Sequence, residues 1–176
     1  MIPLAIHSGY SFLQGVSGIE SLCRHAAACG YSRLALTDTD NMCGLLEFIS
    51  ACRHEGIRPI IGAEVTDTKT NARAVCLVKN DRGYSGLCRL LTRRHTCPDF
   101  DLKSALAKFS KGLVVLVSDP DLLRAFHESG VDIAAALPQR PMPASHPLRK
   151  TAKALGLPLV ATPDSYFNLP EDFDIH

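Results

Sequence analysis

The stretch Arg33-Leu34-Ala35-Leu36-Thr37, followed by Asp38-Thr39-Asp40-Asn41 and then by Pro59-Ile60-Ile61-Gly62-Ala63-Glu64, decides the fold. A short apolar run of this length is a buried strand when turn residues bound it. Between the two runs, Leu45, Phe48, Ile49 and Cys52 recur at helical spacing. Asn41 is placed to cap that helix and Gly56 to end it. Strand, helix and strand in this order form a βαβ unit, whose two strands lie parallel with the helix packed on one face.

The same grammar extends in both directions. Strands are expected at Leu4–His7, Arg33–Thr37, Pro59–Ala63, Ala74–Val78, Leu113–Val117, Ile133–Leu137 and Leu159–Ala161. Before the second strand, Ser17-Gly18-Ile19-Glu20 has the form of a capping box, with Ile19, Leu22, Cys23, Ala26 and Ala27 as the apolar face and Gly30 as the stop. Further helices are expected over Arg82–Thr92, Asp101–Phe109, Pro120–Ser129 and Pro147–Leu155, with Pro120 and Pro147 in first-turn positions that need no N–H. Strands alternating with helices imply the α/β class with a largely parallel sheet. Pro138-Gln139-Arg140-Pro141-Met142-Pro143 is expected to be a loop, because three of its six residues are proline.

Composition narrows the function classes. The 176 residues suit one domain, are 46% hydrophobic and 21% charged, and include no run long enough for a membrane span, so a soluble globular domain is expected. Lys and Arg number 19 against 18 Asp and Glu, a net charge of +1, so no overall field draws the chain to nucleic acid or anionic lipid. Seven cysteines without a Cys-x-x-Cys pair disfavour a zinc ribbon and a disulfide framework. Cys23, Cys52 and Cys88 fall on apolar helix faces, a usage that suits a reducing cytoplasm. The N-terminus lacks the pattern of a signal peptide. The final Glu171-Asp172-Phe173-Asp174-Ile175-His176 reads as the start of a helix, so the chain is expected to continue in its natural context.

In parallel α/β sheets, functional groups gather at the carboxyl ends of the strands. His7 and Ser8 follow the first strand, Asp38-Thr39-Asp40-Asn41 the second, Glu64 the third, Ser118 and Asp119 the fifth, and Asp164 with Ser165 the seventh. The motifs Leu4-Ala5-Ile6-His7-Ser8-Gly9-Tyr10-Ser11-Phe12-Leu13, Ala35-Leu36-Thr37-Asp38-Thr39-Asp40-Asn41 and Pro59-Ile60-Ile61-Gly62-Ala63-Glu64 together resemble the polymerase-and-histidinol-phosphatase (PHP) domain. The branch they are most similar to stands at the N-terminus of bacterial family C DNA polymerases, the polymerase III alpha subunits and their error-prone relatives. Val78-Lys79-Asn80-Asp81-Arg82-Gly83-Tyr84, Leu87–Thr92, Gly112–Leu116 and Leu157–Thr162 support that branch, so the resemblance covers essentially the whole chain.

The resemblance implies a distorted seven-stranded β/α barrel, residues 1–176 forming a single domain, the N-terminal fragment of a longer polymerase chain. It also implies a strand-end constellation of His, Asp and Glu that in active members binds up to three metal ions, which polarise a phosphate ester and generate hydroxide. Carried over position by position, His7, Glu64 and Asp164 are kept, and Asp119 stands where the family has Cys or His. Ala5, Gln14, Thr39, Arg73 and Tyr166 stand where the family has ligands. Three such ions cannot be held by this set, and His7, Glu64, Asp119 and Asp164 suffice for one zinc, manganese or magnesium ion at most. The bland alternative is that His7, Glu64 and Asp164 hydrogen-bond one another, or Arg73, in a polar strand-end cluster.

Two functional readings follow. The first is a degenerate, catalytically inactive PHP domain with no cofactor. It would serve as a structural and interaction module for downstream polymerase domains, for replisome or proofreading subunits, and for DNA only through the parent polymerase, in replication or translesion synthesis. The second is a metal-dependent phosphoesterase or 3′–5′ exonuclease with the reduced site His7, Glu64, Asp119 and Asp164. Arg89, Arg93, Arg94 and His95 form a basic cluster better read as a solvated face, and His25 and His54 are placed to answer helix dipoles. No nucleophile triad or phosphate loop stands out.

Overall fold

The computed structural model describes residues 2–70, 72–138, 145–162 and 164–166, with the backbone alone at Pro138 and Asp164. In chain order the elements are β1 (Ala5–Ile6), α1 (Ile19–Ala28), β2 (Arg33–Leu36), α2 (Leu45–His54), β3 (Arg58–Thr66), β4 (Arg73–Val78), α3 (Asp81–Thr96), α4 (Leu102–Phe109), β5 (Leu113–Val117), α5 (Pro120–Glu128), β6 (Ile133–Pro138), α6 (Ser145–Ala154), β7 (Leu159–Thr162) and β8 (Asp164–Ser165). Each of the seven expected strands is present within a few residues of its expected bounds. The two-residue β8 is an addition, paired in parallel with β1. Residues 139–144 of the expected proline loop and the expected terminal helix lie outside the described residues. No helix among those described is long and apolar enough to cross a membrane.

The chain divides into two compact units, Met1–Ala63 with Pro163–His176, and Glu64–Thr162. In the first, β2 and β3 pair in parallel from Arg33↔Arg58 to Leu36↔Ile61, as the βαβ reading requires. Ile19, Leu22, Cys23 and Ala26 of α1 meet Phe48 and Cys52 of α2 over Leu34 and Leu36 of β2. Side chains the size of Phe48 and Leu34 each contribute about 1.5–3 kcal/mol when fully buried. The helix starts differ from expectation. Gly18 and Gly44 occupy the N-cap positions without a side-chain hydrogen bond. Ser17 is instead buried, and its carbonyl accepts from Gly9 N–H at 2.9 Å. Asn41 lies upstream of α2, accepting from Cys43 N–H and donating through Nδ2 to the carbonyls of Tyr10 and Thr39.

In the second unit, β5, β6 and β7 are parallel neighbours, with β4 antiparallel to β5 in the register Val75↔Leu116 to Val78↔Leu113. The sheet is largely parallel, as expected, with β4 as the strand that runs against β5. The cause is local: β3 and β4 are adjacent strands joined by only six residues, too few for a crossover, so the chain must reverse. Asp67 holds this reversal, accepting from the N–H groups of Lys69, Thr70 and, at 2.8 Å, Leu102 at the start of α4. Asn80, Asp101 and Asp119 cap α3, α4 and α5 through their side chains, and Pro120 opens α5. Pro147 is the third residue of α6, within the first turn, where an N–H has no intrahelical partner. At the base of α3, Gly83 passes so close to Gly112 that an added Cβ would sit 1.9 Å from the Gly112 carbonyl oxygen.

Gly83→Ala must push α3 away from the turn before β5. It is expected to lower stability by about 1–3 kcal/mol, read as a lower urea midpoint at unchanged slope. For Asp67, partial burial opposes the charge, but the N–H donors of Leu102, Lys69 and Thr70 outweigh it and hold the carboxyl below its ordinary value. A depressed folded value adds stability above the unfolded carboxyl range near pH 4, and that stability disappears as pH falls through the lower folded value. Asp67→Asn is therefore expected to flatten the acid limb of the stability–pH curve while lowering stability at neutral pH.

Candidate functional site

In the first unit, the loops after β1 and β2 are built around one carboxylate. Asp38 is 1% exposed. It accepts from Ser8 N–H at 2.7 Å, Ser8 Oγ–H at 2.8 Å and Ser11 Oγ–H at 2.6 Å. Thr37 ties the strands themselves, accepting from Ile6 N–H at 3.0 Å and donating through its own N–H to the Ile6 carbonyl at 2.9 Å. The loop closes tightly: Ser11 N–H donates to Ser8 O, and an added Cβ at Gly15 would lie 1.9 Å from the same carbonyl oxygen.

His7, fully buried at the end of β1, sits against this network. Its Nδ1 lies 3.3 Å from Ser11 Oγ and 3.4 Å from Thr39 Oγ1. Proton counting sets the roles at Nδ1. Ser11 gives its hydroxyl proton to Asp38, and Thr39 gives its own to Gln14 Oε1 at 2.9 Å, so each oxygen can only accept from the ring. An imidazole N–H at Nδ1 is the donor that both oxygens can accept. The Tyr166 ring stacks on His7 with centroids 4.4 Å apart and planes at 11°. Backbone bonds from His7 N to Ser165 O and from Val16 N to Tyr166 O bring the β8 segment to this place.

The expected site residues fall into two groups. His7 and Asp164 belong to the first unit, where Asp164 pairs by backbone with Ala5; its side chain lies outside the described residues. Glu64 and Asp119 belong to the second. The Glu64 carboxylate, 5% exposed, has Arg73 Nη1 at 3.6 Å, the partnership named in the bland alternative. Asp119 turns its carboxylate into the start of α5, accepting from Asp121 N–H and Leu122 N–H. Ser11, which holds Asp38, His7 and Thr39 N–H together, was not singled out from the sequence. Its only signal is a small polar residue three positions after Ser8.

The sequence profile of the family described as "PHP domain" matches residues 3–155. The chain belongs to the PHP family. It is 30% identical over 211 aligned positions to the DNA polymerase III subunit alpha of Escherichia coli strain K12, an alignment covering 99% of this chain and 18% of that one. It is 44% identical over 85 residues to an error-prone DNA polymerase of Xanthomonas axonopodis pv. citri, covering 48% of this chain and 8% of the relative. The PHP chain thus spans less than a fifth of the length of these polymerases. Among solved structures, it resembles an amidohydrolase from Chromobacterium violaceum with a TM-score of 0.69 and 17% identity, covering 97% of this chain and 88% of that one. A two-domain protein from Bacteroides vulgatus containing a predicted PHP-like metal-dependent phosphoesterase gives a TM-score of 0.70 at 13% identity, covering 99% and 54%. These likenesses establish the α/β fold class of the PHP family.

The family's metal cluster can be tested against the donors in place. Among the described residues, no three His, Cys, Asp or Glu side chains are grouped so as to hold an ion. Asp38 and Asp119 are filled by protein N–H and O–H donors, and Glu64 faces a guanidinium. Among the described residues these carboxylates are met by protein donors within their own units.

Asp38→Asn replaces one acceptor oxygen by a donor in a site already supplied with donors. It is expected to lower stability by about 2–4 kcal/mol, measured by urea denaturation, and Ser11→Ala by a smaller amount in the same direction.

Proposed function

We propose that this PHP domain is a non-catalytic structural and interaction module of a bacterial DNA polymerase of the polymerase III alpha type, working in the cytoplasm in replication or translesion synthesis. Polymerase chemistry then lies in other parts of the parent chain, and contact with DNA passes through that parent. Downstream polymerase domains are its first partners, and replisome or proofreading subunits its further ones.

The observation that carries this reading is what now occupies the positions of the family's ligands. Around His7 they hold Gln14 and Thr39, hydrogen-bonded to each other at 2.9 Å, and Tyr166, stacked on the imidazole. An amide, a hydroxyl and a phenol ring are poor ligands for the cations the family uses, yet they pack and hydrogen-bond well. In the second unit, Arg73 puts a permanent positive charge 3.6 Å from the Glu64 carboxylate. Interactions among protein groups thus take up the side chains that would otherwise have faced metal. The similarity to polymerase III alpha over 99% of the chain supports the choice of parent.

Elemental analysis of the purified protein after exposure to zinc and manganese, paired with a phosphodiester hydrolysis assay, tests the proposal. The expected result is less than one tightly held ion per chain and no hydrolysis above the buffer rate. One ion per chain, with hydrolysis abolished by His7→Ala, would overturn it in favour of a metal-dependent phosphoesterase or 3′–5′ exonuclease.

A further inference from the structure

The core between α1 and α2 contains a pair of thiols that the proposed function does not use. Cys23 Sγ and Cys52 Sγ are 3.6 Å apart, and both side chains are fully buried among Ile19, Leu22, Phe48 and Leu34. All seven cysteines are free thiols. Cys76 provides an internal comparison. It is equally buried, its only close polar neighbour is the Ala74 carbonyl at 3.9 Å, and burial pushes its thiol up to about 12. An isolated buried thiol of that kind is inert.

Cys23 and Cys52 differ because each is the other's nearest polar neighbour. Either sulfur can donate in this contact; with the Cys52 S–H as donor, the bond lowers the Cys23 thiol below its ordinary value in spite of burial. The same hydrogen bond, with burial, raises Cys52. The pair thus has two sulfurs in contact, either of which can give up its proton to become the attacking thiolate. A disulfide requires the sulfurs to close to about 2.05 Å, and van der Waals contact leaves only a short displacement. Access comes from the helices that carry the pair. Both helices are ten residues long, and peroxide would reach the pair through local opening of either one.

We propose that Cys23 and Cys52 form a redox-sensitive pair, oxidised by a small peroxide to a disulfide that locks α1 to α2. The Cys23 thiolate attacks one peroxide oxygen, the O–O bond breaks, and hydroxide leaves to give a sulfenic acid. The Cys52 sulfur then attacks Cys23 sulfur, the S–O bond breaks, and the hydroxyl departs as water with the Cys52 proton. Two thiols and one hydrogen peroxide thus give one disulfide and two waters. The sulfurs lose two electrons and the peroxide gains them.

The test exposes the purified 176-residue chain to hydrogen peroxide, quenches it, alkylates it in denaturant, and locates any cross-link by peptide fragmentation, which separates Cys52 from the nearby Cys43. The expected result is two fewer titratable thiols than the seven of the reduced chain and a cross-link between Cys23 and Cys52. Dithiothreitol should reverse it, and the oxidised form should have a higher Tm. Cys23→Ser and Cys52→Ser should each abolish the cross-link. Because a serine in this core can itself unsettle the fold, the decisive reading is the wild-type peptide map. Seven thiols still titratable after peroxide, or a cross-link through any other cysteine, would overturn the proposal.

Discussion

The buried carboxylate of Asp38 sets the terms for the first unit. A charge that is 1% exposed must be met by protein donors, and the only way this chain supplies three is to fold the segment after β1 back across the end of β2. That requirement fixes Ser8 and Ser11. Ser11 in turn orients His7, and through its Oγ it holds Thr39 N–H at 3.1 Å. Thr37 completes the junction by exchanging hydrogen bonds with the Ile6 backbone. Ser8 and Ser11 at the polar end of these strands are thus held by the same carboxylate.

A strand end organised in this way is held together by protein groups. The contacts of Gln14, Thr39 and Tyr166 need no cation. In the second unit, Glu64 and Arg73 balance one another's charge, and Asp119 earns its place as a helix cap. The acidic residues of this domain therefore contribute to folding as hydrogen-bond acceptors at helix starts and turns, a role Asp67 and Asp101 share.

Much of the fold was legible in the sequence, because period and punctuation are local properties. The apolar run Leu113–Val117 and the helix beginning at Pro120 occur where the pattern places them. Gly30, Gly56, Gly130 and Gly156 adopt the positive φ that ends a helix. The helix start moved by one residue from the expected box: Gly18 is the N-cap, and Ser17 is buried with its carbonyl bonded to Gly9 N–H. The direction of β4 was missed because an apolar hexamer looks the same in either orientation. Only the short Asp67–Ala72 connection shows that it must reverse.

Sequence by itself determined the α/β alternation and the family, since each depends on residue type and order alone. The tertiary structure decided which residues meet at the strand ends. That Thr39 reaches both His7 and Gln14, that Tyr166 lies flat on an imidazole far away in sequence, and that Cys23 touches Cys52 are facts of distance between segments. No local pattern encodes such distances. They follow from the packing of strands and helices around the first unit's core, which brings separate parts of the chain within hydrogen-bonding and van der Waals reach.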